Sequence, residues 1–447
     1  MTFDKIGLKV PRILLPEEKV DMTRWSVIAC DQYTSDPEYW DRVRREVGDS
    51  PSTLDMVLPE VYLEDSDVDQ RIADINASMR QALEDGTLVE QPPGFILVDR
   101  QTSEVPSRKG LMVALDLECY DYSADSRSLI RATEGTILER LPPRIKVRRN
   151  APIELPHIMV LIDDPDRTVI EPLFEKKGEK VYDFPLMLGG GHLRGWHISD
   201  RDDVAEVAAS LERLAEPARF EKRYGVTDED VLLYAMGDGN HSFATAKAIW
   251  DDLKDSAADK EAIMSHPARW ALVELVNVHD PGLEFEAIHR VVFNADLDAM
   301  ASAASAYCAQ MGGSFRLQQC SSRAEQDAVV DEEIGLGRHA VAFVAGEQRG
   351  VFIVENSPVH LVVATLQGFL DAYLESVPGA KIDYIHGEDA VENLGGKAGN
   401  VGFFLPSISK HELFKTIVLD GALPRKTFSM GEADEKRFYV ECRRILP

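Results

Sequence analysis

A mixed α/β fold built from more than one αβ unit follows from three features of the sequence. Short apolar runs of strand length alternate with amphipathic stretches of helical period. Several of these runs end in polar or glycine-bearing turns, most clearly at Gly237-Asp238-Gly239-Asn240-His241. At 447 residues the chain has room for two or three domains of about 150 residues each.

Taken in order, Trp25 to Cys30 reads as a strand feeding the polar loop Asp31-Gln32-Tyr33-Thr34. Pro37 then starts a helix, because proline is tolerated in the first turn, where its missing N–H is not needed. From Asp67 to Asp85 the apolar residues Val68, Ile72, Ile75, Met79 and Leu83 recur at spacings of three and four before Gly86, predicting a helix with an acidic outer face. Phe95 to Asp99 and Gly110 to Leu117 read as strands, and Ile158 to Ile162 as another. Val204, Val207, Leu211 and Leu214 mark a helix; Val231 to Met236 is a strand, and Ser242 to Leu253 is the helix after its turn. The polar, Ala-rich stretch Asp255 to His266 predicts a boundary that divides the chain into 1–260 and 261–447. Trp270 to Val278 would open the second part, which also holds a hairpin formed by Ala340 to Val344 and Gly350 to Val354.

Charge removes one class of function. Lys and Arg total 49 against 77 Asp and Glu, a formal charge of −28, so no nucleic-acid partner is expected. The five cysteines form no CxxC pair, which fits a reducing cytoplasm better than a disulfide framework or a thiolate zinc site. No long apolar segment predicts a membrane span.

The glycine turn feeding the helix at Ser242 is the strongest chemical signal. Such a turn presents unpaired backbone N–H groups to an anion, so Gly237, Gly239, Asn240 and Ser242 are candidate phosphate ligands, with Asp238 and His241 polar at its mouth. It is neither a dinucleotide fingerprint nor a P-loop, and a tight turn with a helix cap is the plainer alternative. A second signal is the basic strip Arg127 to Arg149, with seven cations against Glu134 and Glu139. Its guanidinium groups, Arg131, Arg140 and Arg144 among them, suit phosphate or carboxylate recognition, unless they simply pair with the abundant acids. Gly189-Gly190-Gly191 reads as a turn beside His192. His192, His289-Arg290 and Arg425-Lys426 rank as secondary substrate contacts; Thr427 or Ser429 would cap a final helix. Without a GxSxG elbow or a local cysteine signature, hydrolase chemistry has no anchor, and the remaining groups resemble the parts of phosphoryl transfer.

The segments Ala29 to Thr34, Ile130 to Thr136, Gly237 to Ser242 and Arg425 to Glu432 resemble the family of domain of unknown function 1015. The resemblance runs along nearly the whole chain. It implies a ParB/sulfiredoxin-like core with a large insertion and a second αβ domain, related to kinases that phosphorylate free L-serine to O-phospho-L-serine. It further implies ATP as co-substrate, Mg²⁺ held at Asp238, nucleotide phosphates on Gly237 to Ser242, and Asp31 or Glu134 acting on the acceptor hydroxyl. Other members have His where this chain has Asn240 and Arg where it has Ser242, so the missing guanidinium is expected from Arg131, Arg140 or Arg144. The alternative is a non-catalytic nucleotide- or metabolite-binding protein of the same superfamily.

Overall fold

The computed structural model describes residues 1–123 and 125–447. The chain forms two compact units: Met1–Glu284 together with Met430–Pro447, and Phe285–Ser429.

The first unit is organised by one mixed sheet whose main path runs Glu179–Pro185, His192–Ile198, Phe95–Gln101, Arg108–Asp116, Trp270–Asn277, Met159–Ile162, Tyr234–Asp238, Ile130–Arg131 and Tyr120–Asp121. Its central strands are covered on both faces, which is why they read as continuous apolar runs. Phe95, Leu97, Leu111, Val113 and Leu275 face the core that also holds Phe243, Trp250 and Leu211 of the covering helices. Ile96, Val98, Met112 and Leu272 point the other way, onto Trp40, Val43 and Phe438.

Three expectations are corrected here. Trp270–Asn277 lies mid-sheet, antiparallel to Arg108–Asp116 and parallel to Met159–Ile162, so the polar stretch near 260 is a surface connection within one sheet. Trp25 to Cys30 is not a strand: a short helix, Met22–Trp25, precedes a single bridge between Ile28 and Phe438. No final helix follows Thr427; the chain makes the short strand Phe428–Met430, a tight turn at Ala433–Glu435 and the strand Arg443–Arg444. The reason is common to the last two: both segments find their partners far away in sequence.

The second unit is an antiparallel sheet in the order Ser314–Cys320, Gln348–Glu355, His339–Ala345, Asn400–Phe404, Phe285–Phe293 and Lys381–His386. The expected hairpin is present, with Ala345 opposite Gln348. Leu297–Gln310 and Val362–Ser376 supply apolar residues to one core around Phe343, Phe352 and Phe403. Among the described residues no helix is long and apolar enough to cross a membrane.

Candidate active site

Three segments leave the first sheet at the same end. Tyr234–Asp238 runs parallel to Ile130–Arg131, with Ala235 opposite Arg131, so the turns Ala132 to Thr136 and Gly237 to Ser242 emerge side by side. Met159–Ile162 runs antiparallel to the same strand with Met159 opposite Asp238, which brings the preceding His157 to that edge. Gly239 makes the turn possible: its φ is +77°, and an added Cβ would stand 3.0 Å from the Ile158 Cα and 3.5 Å from the His157 ring. Gly239→Ala is therefore expected to destabilise the first unit by about 1–3 kcal/mol, checked by urea unfolding against a Gly225→Ala control, which shares the positive φ but meets nothing within 4 Å.

Gly239 stands at the N-cap of the 17-residue helix Asn240–Ser256 and supplies no side-chain cap, so the positive end of the helix dipole faces this edge. Beside them, Asp238 accepts from its neighbour Gly239 N at 2.8 Å and lies 3.2 Å from Lys436 Nζ. Burial alone would raise the Asp238 carboxyl, but Lys436, the Gly239 N–H and His157 outweigh it and hold the group below its ordinary value. His157 links the remaining groups. Its Nε2 is 3.0 Å from Ser242 Oγ and 3.6 Å from Asp31 Oδ2, and its Nδ1 is 2.8 Å from Tyr439 Oη. Tyr439 accepts from Cys30 N at 3.1 Å and keeps its proton, because burial pushes its pKa well up. The hydroxyl can then donate to Nδ1, which leaves the His157 proton on Nε2, toward Asp31 and Ser242.

Lys436 and Tyr439 are held by a buried ionic cluster. Arg437 pairs with both Glu274 and Glu441, and its Nε donates to Pro156 O at 3.1 Å, next to His157. Ala29 N donates to Arg437 O at 2.9 Å and Tyr439 N to Val27 O at 2.8 Å, which fixes the loop bearing Asp31. A cavity of about 130 Å³ adjoins these groups, with Leu58, Met79 and Ile153 on its apolar side and Glu60, His157 and Ser242 on its polar side. Burial raises the Glu60 carboxyl, with Asp31 adding to the effect and the Arg144 guanidinium opposing it.

Of the residues singled out from sequence, Asp31, Gly237, Asp238, Gly239, Asn240, His241 and Ser242 meet at this edge. Glu134 sits half-buried in the adjacent turn. The basic strip is not a free anion-binding surface. Arg131 is buried, donating to Ser128 O at 2.9 Å and Asp230 O at 2.6 Å, so it clips loops together. Arg140 is exposed and Arg144 pairs with Glu60, while Lys146, Arg148 and Arg149 pair with Asp69, Glu154 and Asp252. The cation beside the glycine turn is Lys436 instead. His192 pairs with Asp183 at 2.7 Å on the strands joined by the Leu186 to Gly191 turn. His289 accepts from Leu405 N at 3.0 Å, Arg290 donates to Gln367 at 3.2 Å and Arg425 pairs with Asp371 at 3.0 Å, all within the second unit. Lys426, also there, adopts a φ of +57°.

Sequence reasoning missed His157, Lys436, Tyr439 and Glu60. Only Pro156-His157 carried a usable signal, a histidine directly ahead of an expected strand.

No group of three or more His, Cys, Asp or Glu side chains able to hold a metal ion occurs among the described residues. Magnesium that arrives on a nucleotide needs only one or two carboxylates besides phosphate and water, so Asp238 suits that role chemically.

Solved structures give distant likenesses. A free serine kinase variant in complex with AMP is 12% identical, with a TM-score of 0.39 over 78% of this chain and 95% of that chain. A conserved hypothetical protein from Pyrococcus furiosus is 12% identical, with a TM-score of 0.36 over 74% and 90%. C-terminally truncated SbnI from Staphylococcus aureus is 10% identical, with a TM-score of 0.33 over 74% and 82%. No curated protein matches the chain. The model of the family described as "Protein of unknown function (DUF1015)" matches residues 12–373, and the chain belongs to that family.

Proposed function

We propose that the chain is a small-molecule kinase that transfers the γ-phosphoryl group of ATP to the hydroxyl of free L-serine. The observation that carries this reading is the meeting, at one sheet edge, of a glycine-started helix N-terminus, the pair of Asp238 with Lys436, and Asp31 beside His157. Two further details support a ligand there. Thr133 Oγ1 and Asn240 Oδ1 are buried without hydrogen-bond partners among the described residues, on the two turns that leave the sheet together. ATP and serine themselves are assigned through the family resemblance.

In this reading the N–H groups of Asn240 to Ser242 and the Lys436 ammonium hold phosphate oxygens, and Mg²⁺ carried by ATP reaches Asp238. Asp31 accepts the acceptor's hydroxyl proton while that oxygen bonds to phosphorus and the bond to the ADP oxygen breaks. His157 orients Asp31 and Ser242. Positioning and charge neutralisation supply most of the rate, as expected for a loose phosphoryl transition state.

Phosphorus NMR of the protein with Mg²⁺, ATP and L-serine tests the proposal. A phosphomonoester signal that needs L-serine and falls about a hundredfold in Asp31→Asn is the expected result. ATP left unchanged for hours with L-serine would overturn it and favour a nucleotide-binding protein without transfer chemistry.

A further inference from the structure

The geometry points to a second ligand site in the first unit: a cationic groove for a small anion carrying two or more charges. The groove has a volume of about 360 Å³ and is lined by Lys9, Arg12, Arg443 and Arg444 against one acid, Glu90, with three prolines in its walls. In a chain of net charge −28 this is a local reversal of sign, and it differs from the basic strip, where most cations have their own acid.

The charges do not cancel within the groove. Arg443 is committed to Glu154, to which its Nε donates at 2.6 Å, and to Pro267 O at 3.1 Å. Glu90 is shared between Arg12 at 3.2 Å and Arg444 at 4.0 Å. Lys9 has no carboxylate within ion-pair reach among the described residues; its ammonium sits 5.2 Å above the Trp270 ring. Lys9, Arg12 and Arg444 thus face one carboxylate, an excess of two positive charges.

The cations are also pre-positioned. Lys9 lies on a strand opposite Ala114, and Arg444 lies opposite Ile153. Glu90 lies opposite Leu14, two residues beyond Arg12. The backbone positions of Lys9 and Arg444 are set by strand pairing, and two guanidinium groups and an ammonium spaced around one groove favour a compact diphosphate-like anion. Burial, with the nearby Arg443 and Arg269, lowers the Lys9 pKa against the opposing pull of Asp116.

Titration of the intact chain with sodium pyrophosphate, followed by Trp270 emission and by calorimetry, tests the site. A saturable fluorescence change is expected, weakened tenfold or more in Lys9→Gln and in Arg444→Gln, and weakened by added salt. Trp270→Phe should abolish the optical signal while calorimetric binding remains. Asp238→Ala should leave the groove unaffected, which separates it from the helix N-terminus. Affinity equal to the native chain in both Lys9→Gln and Arg444→Gln overturns the inference, as does an optical signal lost in Asp238→Ala alone.

Discussion

Replacing Asp238 by alanine is expected to lower kinase turnover about a hundredfold or more, the scale seen when one preorganised charge is removed from a transition-state cradle. The carboxylate has two tasks here: it holds Lys436 at 3.2 Å, and it accepts from the N–H of Gly239, where the helix begins. Alanine removes both, while the Lys436 ammonium keeps its hydrogen bond to Met430 O at 3.1 Å. Lys436→Met, which removes an ammonium proposed to hold phosphate oxygens, should lose turnover on a similar scale and raise the KM for ATP as well. The pH response follows from the sign of the shift. Because the folded Asp238 carboxyl lies below its ordinary value, its contribution to stability is complete above about pH 4 and is lost as pH falls through the lower folded value. Unfolding free energies of native protein and Asp238→Asn should therefore converge below about pH 4, whereas a constant gap would contradict the pairing.

The second large effect is expected at Arg437. Arg437→Met strands Glu274 and Glu441, each at most 1% exposed, without their shared cation. Breaking a buried pair in this way costs about 3–5 kcal/mol, since a charge is left in a poorly solvating interior. All five tryptophans, Trp25, Trp40, Trp196, Trp250 and Trp270, lie in the first unit, so their emission follows that unit's unfolding separately from the other. A urea midpoint within error of native would refute the cluster's role.

Much of the architecture was legible in the sequence because central strands covered on both faces are written as largely apolar runs. Phe95 to Val98, Ile158 to Ile162 and Trp270 to Val278, which is interrupted only at Glu274 and Asn277, are all of this kind. The glycine turn was legible as well, since a positive φ against a neighbouring backbone leaves few alternatives to Gly239. What was not legible depends on pairing across long separations. Trp25 to Cys30 has the composition of a strand, but its backbone partner lies at Phe438 and Tyr439, more than 400 residues away, which local patterning does not encode. The basic strip misled for a related reason: its spacing is visible in sequence, whereas the acids that neutralise it, such as Glu60 and Asp252, come from other elements. Lys436 and Tyr439 belong to no motif and gain their role only through the anchor at Arg437.

The return of the chain to the first unit at Met430 also sets an order of events during synthesis. A ribosome delivers the sheet and the glycine turn early, then the whole of Phe285–Ser429, and only afterwards the residues that bring Lys436 and Tyr439 to His157. Before that segment emerges, Glu274 has no Arg437 to pair with and His157 no Tyr439. If the proposed phosphoryl transfer uses this site, it needs Met430–Pro447 as well as the glycine turn, so a chain cut before Met430 is expected to carry the turn yet leave ATP unchanged.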